Sequence, residues 1–297
     1  MSSTITETST FKTNEVETEL QKIKRIQAYP SHITPIPGSH QAELLKQRKL
    51  VLLMDLDHTM LHTTYLNFAG KYEDDIFEFE CGPVRFTTKL RPNHERFLTT
   101  MSQYFELHVV TMALRDYAEA VLEQLDPEQR FFGNRILCRE QMSRIDKYEA
   151  MKKLFPEGHK HVLAIDDKAS VWDNMPNMYH IPAFLFFGKM YGGVLGSVAF
   201  KRLGAYFDEA FVNAEKFLLD VHAKFFANYD KNQLKSTAEI CSEIFVRKAT
   251  KRRKLSEDRE PKDVKEEEET TPTEAKDSTE LSSKRIRTCS VGVLESE

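Results

Sequence analysis

Two aspartates at the end of an apolar run are the residues of this chain best suited to chemistry. The run Leu50-Val51-Leu52-Leu53-Met54 carries no charge and ends abruptly in Asp55-Leu56-Asp57-His58-Thr59. In extended backbone the i, i+2 spacing sets both carboxylates on one side. Buried charge is costly unless it is paired, so carboxylates at such a place call for a metal or a cation beside them. Two further apolar runs end alike, Leu107-His108-Val109-Val110 in Thr111 and His161-Val162-Leu163-Ala164-Ile165 in Asp166-Asp167. One such ending is an ordinary strand end with surface acids. Three in one chain describe a site for phosphate or metal.

The elements that must hold these groups follow from the patterns between them. Runs apolar on both faces are strands covered from both sides, and open α/β sheets place ligands at the carboxyl ends of their strands. Tyr117, Val121, Leu122 and Leu125 keep helical spacing until Asp126-Pro127, and Tyr148, Met151, Leu154 and Phe155 form a second stripe. The alternation predicts an α/β fold: a Rossmann-like parallel sheet with helices on both faces. Ile76-Phe77-Glu78-Phe79-Glu80 and Val84-Arg85-Phe86-Thr87 alternate around Cys81-Gly82-Pro83 and read as a small β-hairpin insertion. The stripe Phe207, Phe211, Ala214, Phe217, Leu218, Val221, Phe225 predicts a long helix packed on the core, a C-terminal helical extension.

Composition bounds the organisation. The chain has 297 residues, 40% hydrophobic, with a net charge of −4, so it can bury a sizeable core and presents no global field toward nucleic acid or membrane. Cys81, Cys138, Cys241 and Cys289 are far apart and fit neither zinc spacing nor a disulfide framework, which points to reduced thiols. The start of the chain lacks the basic and apolar regions of a secretory signal. Residues 181–200 approach membrane length, but Lys189 and several glycines and prolines interrupt them. A core strand followed by a loop is the expectation there. Residues 1–24 are expected to be disordered, 25–200 to form the domain carrying the site, 201–246 its helical extension, and 247–297 a disordered charged tail. The basic cluster Arg247-Lys248 and Lys251-Arg252-Arg253-Lys254 reads either as a nuclear-import signal, placing the protein in the nucleus, or as a solvated charge run. Basic and acidic residues balance across the tail, and it has no aromatic residues for stacking, so direct nucleic-acid binding is not expected.

Asp55-Leu56-Asp57-His58-Thr59 resembles the D-x-D-x-T nucleophile motif of the haloacid dehalogenase superfamily. More narrowly it resembles the Fcp/Scp phosphatases acting on the C-terminal domain of RNA polymerase II. The order of the Thr111 and Asp166-Asp167 endings matches that superfamily over roughly residues 45–190. Leu125-Asp126-Pro127, Phe131-Phe132-Gly133-Asn134-Arg135-Ile136-Leu137 and Ile165-Asp166-Asp167-Lys168-Ala169-Ser170-Val171-Trp172 look like the Fcp branch. So does Leu219-Asp220-Val221-His222-Ala223-Lys224-Phe225-Phe226-Ala227-Asn228-Tyr229-Asp230, which resembles the linker helix preceding a BRCT domain, although the chain later becomes a charged tail instead.

The resemblance implies roles. Asp55 would be the nucleophile, forming an aspartyl-phosphate. Asp57 would protonate the leaving alkoxide and then activate water. Asp55, the backbone carbonyl of Asp57, and Asp167 would hold Mg²⁺, with Asp166 in support. Thr111 would donate to the phosphoryl oxygens; a buried threonine bonded to a neighbouring carbonyl is the alternative. Lys147 would neutralise the phosphoryl group, with Lys152 and Lys153 close behind it in sequence. Arg91, in Lys89-Leu90-Arg91-Pro92, would contact phosphate, or serve a structural ion pair. Thr59 is expected to fix the loop through its hydroxyl, and His58 and His62 to be solvent-facing or satisfied in the core.

The chemistry suits these residue types. A carboxylate is ionised near neutral pH and needs no activating base, and phosphoryl transfer rests on positioning and charge neutralisation. About 55 residues separate Asp57 from Met112, part of them taken by the hairpin near 76–87, and about 35 separate Thr111 from Lys147, which leaves no room in either gap for a full cap domain of ~50–100 residues. A lidless cleft suits a phosphoamino acid on an extended peptide. The expected activity is therefore Mg²⁺-dependent phosphoserine/phosphothreonine hydrolysis on a phosphorylated protein, the C-terminal domain of RNA polymerase II in particular. The alternatives are the same mechanism on other phosphoproteins or small esters, and an inactive phosphopeptide-binding scaffold.

Overall fold

The computed structural model describes residues 30–66, 75–187, 190–191, 194–195 and 208–257. In chain order the first elements are α1 (Gly38–Lys46), β1 (Leu50–Met54), β2 (Leu61–Thr64), β3 (Ile76–Cys81) and β4 (Val84–Leu90). Next come α2 (His94–Tyr104), β5 (Phe105–Val110), α3 (Arg115–Leu125), β6 (Ile136–Leu137), the short α4 (Arg139–Met142) and α5 (Lys147–Leu154). After β7 (Val162–Asp166), a 3₁₀ turn at Ala169–Trp172 and β8 (Met178–His180) lie the two-residue strands β9 (Met190–Tyr191) and β10 (Val194–Leu195). The last described elements are α6 (Ala210–Tyr229) and α7 (Thr237–Glu257).

β1 is buried at every residue, as its uncharged run requires. Its pleat sends Leu50, Leu52 and Met54 into one core and Val51 and Leu53 into another, the condition of a strand with helices on both faces. Parallel pairing with β5 and β7 builds a five-stranded sheet of order β6-β5-β1-β7-β8. The chain works outward from β1 in one direction and then in the other, so the switch point lies at the carboxyl end of β1, flanked by β5 and β7. Phe97 of α2, Val121 of α3, Leu218 of α6 and Ile240 of α7 fill the first core. Leu44 of α1 with Met151 and Leu154 of α5 fill the second. Phe211 stacks on Phe97 with centroids 4.4 Å apart; burial of such a ring contributes about 1.5–3 kcal/mol.

The predicted hairpin is present and is larger than expected. β3 and β4 turn at Gly82-Pro83, with Cys81 opposite Val84 and Gly82 at φ 59, a left-handed conformation that glycine adopts at little cost. β2 adds to β4, giving a three-stranded antiparallel sheet.

Two expectations need correction. Residues 181–187 do not form a strand; the strand is β8, which stops at His180. Pro182 has no N–H for a ladder, and the following N–H groups turn to side chains and loops: Phe184 N donates to the His58 carbonyl at 2.7 Å, and Phe186 N and Phe187 N both donate to His62 Nδ1. The second correction is to the tail boundary at 247. α7 continues to Glu257, because Ile240, Cys241 and Ile244 anchor its first turns in the core and the Ala-Lys-Arg-rich stretch that follows has high helix propensity. Arg253–Glu297 forms a separate unit. The regions expected to be disordered at 1–24 and beyond 257, Phe207 of the apolar stripe, and Cys289 lie outside the described residues. Cys81, Cys138 and Cys241 are free thiols. Among the described residues no helix is long and apolar enough to cross a membrane.

Candidate active site

The carboxyl ends of β1, β5 and β7 open on a cleft of about 650 Å³ lined by Asp55, Asp57, Thr111, Lys147, Asp166 and Asp167, among others. Six of the seven residues singled out for the site thus converge from four separate segments of chain.

Asp55 stands one residue past β1, its N–H donating to the Ile165 carbonyl at 3.1 Å, which locks β1 and β7 together at the cleft floor. The chain then folds back sharply. His58 takes a left-handed φ of 62 and its N–H donates to the Leu61 carbonyl at 2.7 Å, while Thr59 N and Met60 N both donate to the Leu56 carbonyl. This tight loop carries Asp57 to the cleft wall. Thr59 is fully buried; its hydroxyl accepts from Asp167 N at 3.1 Å and lies 3.4 Å from Asp55 Oδ2. The loop-fixing role expected for Thr59 therefore tethers the two acidic segments to each other.

Lys147 is the first residue of α5, which Asp146 caps by accepting from Glu149 N at 2.8 Å. Its ammonium, 2% exposed, bridges Asp55 Oδ1 at 2.5 Å and Asp166 Oδ2 at 2.6 Å. Lys152 and Lys153 are helix surface residues by comparison, and Lys152 pairs with Glu149. Asp166 is satisfied on both oxygens: Oδ2 also accepts from Trp172 Nε1 at 2.8 Å and Oδ1 accepts from Lys168 N at 2.8 Å. A carboxylate bound this way orients its neighbours. Asp167 is half-buried beside it. Ligand oxygens of Asp55, Asp166 and Asp167 lie within 4.8 Å of one another, a spacing that fits a hard cation bound through oxygen. Thr111 is 1% exposed, its hydroxyl accepting from Ala113 N at 3.1 Å; that bond leaves the hydroxyl proton available to the cleft.

Charge follows from burial. Burial pushes the Asp55 carboxyl up to about 7; Lys147 pulls it back, and Asp166 and Asp57 add repulsion. Burial likewise raises Asp57, opposed first by a hydrogen bond from Tyr117. Asp167 is raised by burial and by Asp166. Burial alone would lower Lys147, but Asp55 and Asp166 outweigh it and hold the ammonium protonated.

Arg91 is not in the cleft. Its Nε donates to Asp208 at 2.6 Å, Nη1 to the Thr59 carbonyl at 3.0 Å and Nη2 to the Pro182 carbonyl at 2.8 Å. The guanidinium is 2% exposed between the rings of Phe184 and Phe211. A phosphate contact is ruled out by this saturation, and the structural ion pair is the reading that holds. Arg91 pins the back of the Asp55–Thr59 loop to α6. His62 is a core histidine, its Nδ1 accepting two N–H bonds, and burial lowers it to about 4.

Sequence reasoning missed Tyr117. Its hydroxyl lies 2.6 Å from Asp57 Oδ1 and 2.7 Å from Thr63 Oγ1, which ties the second carboxylate to the antiparallel sheet. In sequence Tyr117 is one member of an apolar stripe, and nothing there announces its partner sixty residues away. Trp172 and Arg139 escaped for the same reason. Arg139 lines the cleft with its Nε on the Met112 carbonyl. Around the mouth stand Tyr65, 70% exposed, and Leu114, 51% exposed, with Val84 and Met112 beside them, an apolar rim on a cleft whose floor is ionic.

Comparison with known proteins agrees with this geometry. Residues 50–199 match the model of the family described as NLI interacting factor-like phosphatase. The RNA polymerase II C-terminal domain phosphatase of Caenorhabditis elegans is 33% identical over 219 residues, 70% of this chain and 33% of that protein. The protein of the same name from Homo sapiens is 37% identical over 150 residues, 50% of this chain and 16% of that protein. The chain thus spans about a third or less of the length of these two relatives. In fold it is similar to Fcp1, described as an essential RNA polymerase II CTD phosphatase, with a TM-score of 0.57 and 21% identity over 69% of this chain and 73% of that one. A parallel sheet with its acidic strand ends at the switch point, and a family match covering just those strands, place this chain among the NLI interacting factor-like phosphatases.

Proposed function

We propose that this chain hydrolyses phosphoserine and phosphothreonine in proteins, with the C-terminal domain of RNA polymerase II as substrate, in the nucleus. The observation that carries the reading is the Lys147 bridge between Asp55 and Asp166 at the floor of an open cleft. A buried carboxylate bridged by one ammonium, with a second carboxylate beside it, is the arrangement of an oxygen nucleophile with its proton carrier.

Asp55 attacks phosphorus through a carboxylate oxygen, forming an acyl-phosphate bond as the bond from phosphorus to the serine oxygen breaks. Asp57, whose carboxyl burial raises toward the range of a proton carrier, gives a proton to that oxygen. Water then attacks the aspartyl-phosphate; Asp57 takes one of its protons, inorganic phosphate leaves and the Asp55 carboxylate is restored. Tyr117 holds Asp57 on the side of the leaving group throughout. Thr111 and Lys147 offer a hydroxyl and an ammonium to the phosphoryl oxygens. Asp55 and Asp167, with Asp166 beside them and the Asp57 carbonyl as a further ligand, would hold Mg²⁺, which would supply the charge that lets a carboxylate approach a phosphate dianion. The apolar rim at Tyr65, Val84, Met112 and Leu114 favours an extended peptide over a small sugar phosphate. The catalytic segment is 25–200, with the helices of 201–246 supporting it through the Phe97–Phe211 stack and the Arg91–Asp208 pair. The names of the relatives supply the polymerase substrate.

The test is phosphate release from a phosphorylated heptad-repeat peptide and from an aryl phosphate, each with Mg²⁺ and with EDTA. Wild type is expected to hydrolyse the peptide only with the metal, and Asp55→Asn to lose at least about 10³-fold. Hydrolysis of the aryl phosphate alone would keep the mechanism and remove the peptide substrate.

A further inference from the structure

We propose that Thr63 and Thr88 are positioning residues for departure of the leaving group: with Tyr117 they form a one-way chain of hydroxyls that engages one oxygen of Asp57 and leaves the other to carry its proton. The inference rests on the role given to Asp57 above and names the groups that make that role directional.

The chain runs along one face of the antiparallel sheet. Thr63 of β2 stands opposite Thr88 of β4, and their hydroxyl oxygens are 2.7 Å apart. Thr63 Oγ1 is in turn 2.7 Å from the Tyr117 hydroxyl, which lies 2.6 Å from Asp57 Oδ1. The same face holds the ring of Tyr117. Its centroid is 5.6 Å from that of Phe79 and 5.5 Å from that of Phe86. Phe86 precedes Thr88 by two residues on β4, so both side chains leave the strand on one side. Ring and hydroxyl are therefore fixed by neighbouring positions of a single sheet.

Counting protons sets the direction. Each of the three hydroxyls has one proton to give. An ionised carboxylate only accepts, so Tyr117 donates to Asp57 Oδ1 and Thr63 must donate to Tyr117. Thr88 then donates to Thr63. Thr88 is fully buried, and among the described residues its hydroxyl has no side-chain partner but Thr63. For Asp57 to donate from Oδ1, all three hydroxyls would have to reverse, and Thr88 would hold a buried proton with no acceptor, which native proteins avoid. The acid proton accordingly sits on Oδ2, the oxygen that the chain leaves unengaged, on a side chain that lines the cleft. As Asp55 attacks and the bond from phosphorus to the leaving oxygen breaks, that proton passes to the leaving oxygen. The charge left on Asp57 is met by the Tyr117 hydroxyl, itself polarised by the two threonines behind it.

The experiment uses the full chain with Mg²⁺ and compares kcat/KM for phenyl phosphate and p-nitrophenyl phosphate. The two esters share a ring, but phenolate is the stronger base and needs the proton, whereas nitrophenolate leaves without it. Because kcat/KM covers the steps up to release of the phenol, later hydrolysis of the aspartyl-phosphate does not enter. Thr63→Val keeps the branched shape and removes the hydroxyl. The ratio of kcat/KM for phenyl phosphate to that for p-nitrophenyl phosphate should fall at least about fivefold in this variant, for the loss of one hydrogen bond in the chain. Thr88→Val, one bond further away, should lower the ratio about twofold. Thr63→Ser retains the hydroxyl and should bring the ratio back to within about twofold of wild type. In a Tyr117→Phe background, Thr63→Val should lower the ratio no further, because the chain is already cut. Equal losses on both esters, no recovery with serine, or effects that add to those of Tyr117→Phe would overturn the proposal. A folded wild type that hydrolyses neither ester would instead overturn the phosphatase reading on which it rests.

Discussion

Replacing Lys147 with methionine tests the electrostatic logic of the site. The side chain is 2% exposed and its ammonium bridges two buried carboxylates at 2.5 and 2.6 Å. Methionine keeps the apolar stem and removes the charge. Deleting one partner of a buried ion pair costs about 3–5 kcal/mol, because the other charge stays buried without compensation. At about 2–4 °C per kcal/mol for a domain of this size, the Tm at about pH 8 should fall by roughly 6–20 °C. The loss must also depend on pH. Asp55 is already pushed up to about 7 by burial, with Lys147 acting to lower it, so deleting the lysine pushes the carboxyl higher. A carboxyl raised above its unfolded value loses stability as pH rises through the interval between the two. Wild type stops losing near pH 7, whereas the variant goes on losing above it, by about 1.4 kcal/mol for every further tenfold weakening of the acid. Urea denaturation at about pH 6 and about pH 8 should show a gap that widens at the higher pH. Mg²⁺ should narrow it, since a divalent cation among the same oxygens does part of the work of the ammonium. Phosphate release should fall about 10²–10³-fold. A loss under about 1 kcal/mol at the higher pH, or a gap unchanged by pH, would refute the reasoning.

Three further outcomes follow from neighbouring residues. Tyr117→Phe removes the hydrogen bond that lowers Asp57; kcat should fall about tenfold for a lost bond to a charged group, and the alkaline limb of the pH–rate profile should move to higher pH, because the acid stays protonated longer. Arg91→Met should cost about 3–5 kcal/mol in denaturation by stranding Asp208, while the KM of the folded fraction for a phosphopeptide stays within about twofold of wild type, because the arginine lies outside the cleft. His161 is lowered by burial from 6.5 to about 4, so the folded state resists its protonation and stability is lost as pH falls through that window. Compared with His161→Gln, wild type should lose ~2 kcal/mol between about pH 7 and pH 5; parallel denaturation curves for the two proteins would contradict this.

Much of the site was legible because its residues sit at strand ends that announce themselves. Asp55, Thr111 and Asp166 each follow a run too apolar to be anything but an inner strand, and Asp57 and Asp167 are close sequence neighbours of two of them. Lys147 was legible only through resemblance, since Lys152 and Lys153 offer the same chemistry nearby; its capped helix start, not its type, makes it the buried one. Arg91 shows the reverse. A lone arginine beside a proline carries no mark of whether its fork faces a substrate or three internal acceptors, and here the turn of Pro182 and the start of α6 supply those acceptors. The strand expected within 181–187 failed because its N–H groups found nearer partners in His58 and His62.

What the amino-acid order determined by itself is local: which runs become strands, where helices begin and stop, and which carboxylates stand at strand ends. These depend on periodicity, capping and charge within a few residues. Tertiary structure alone decided that Tyr117 would steady Asp57, that Trp172 would hold Asp166, and that Arg91 would be structural. Each is a contact between side chains far apart in sequence, chosen by the packing of layers and by the need to pair what packing buries.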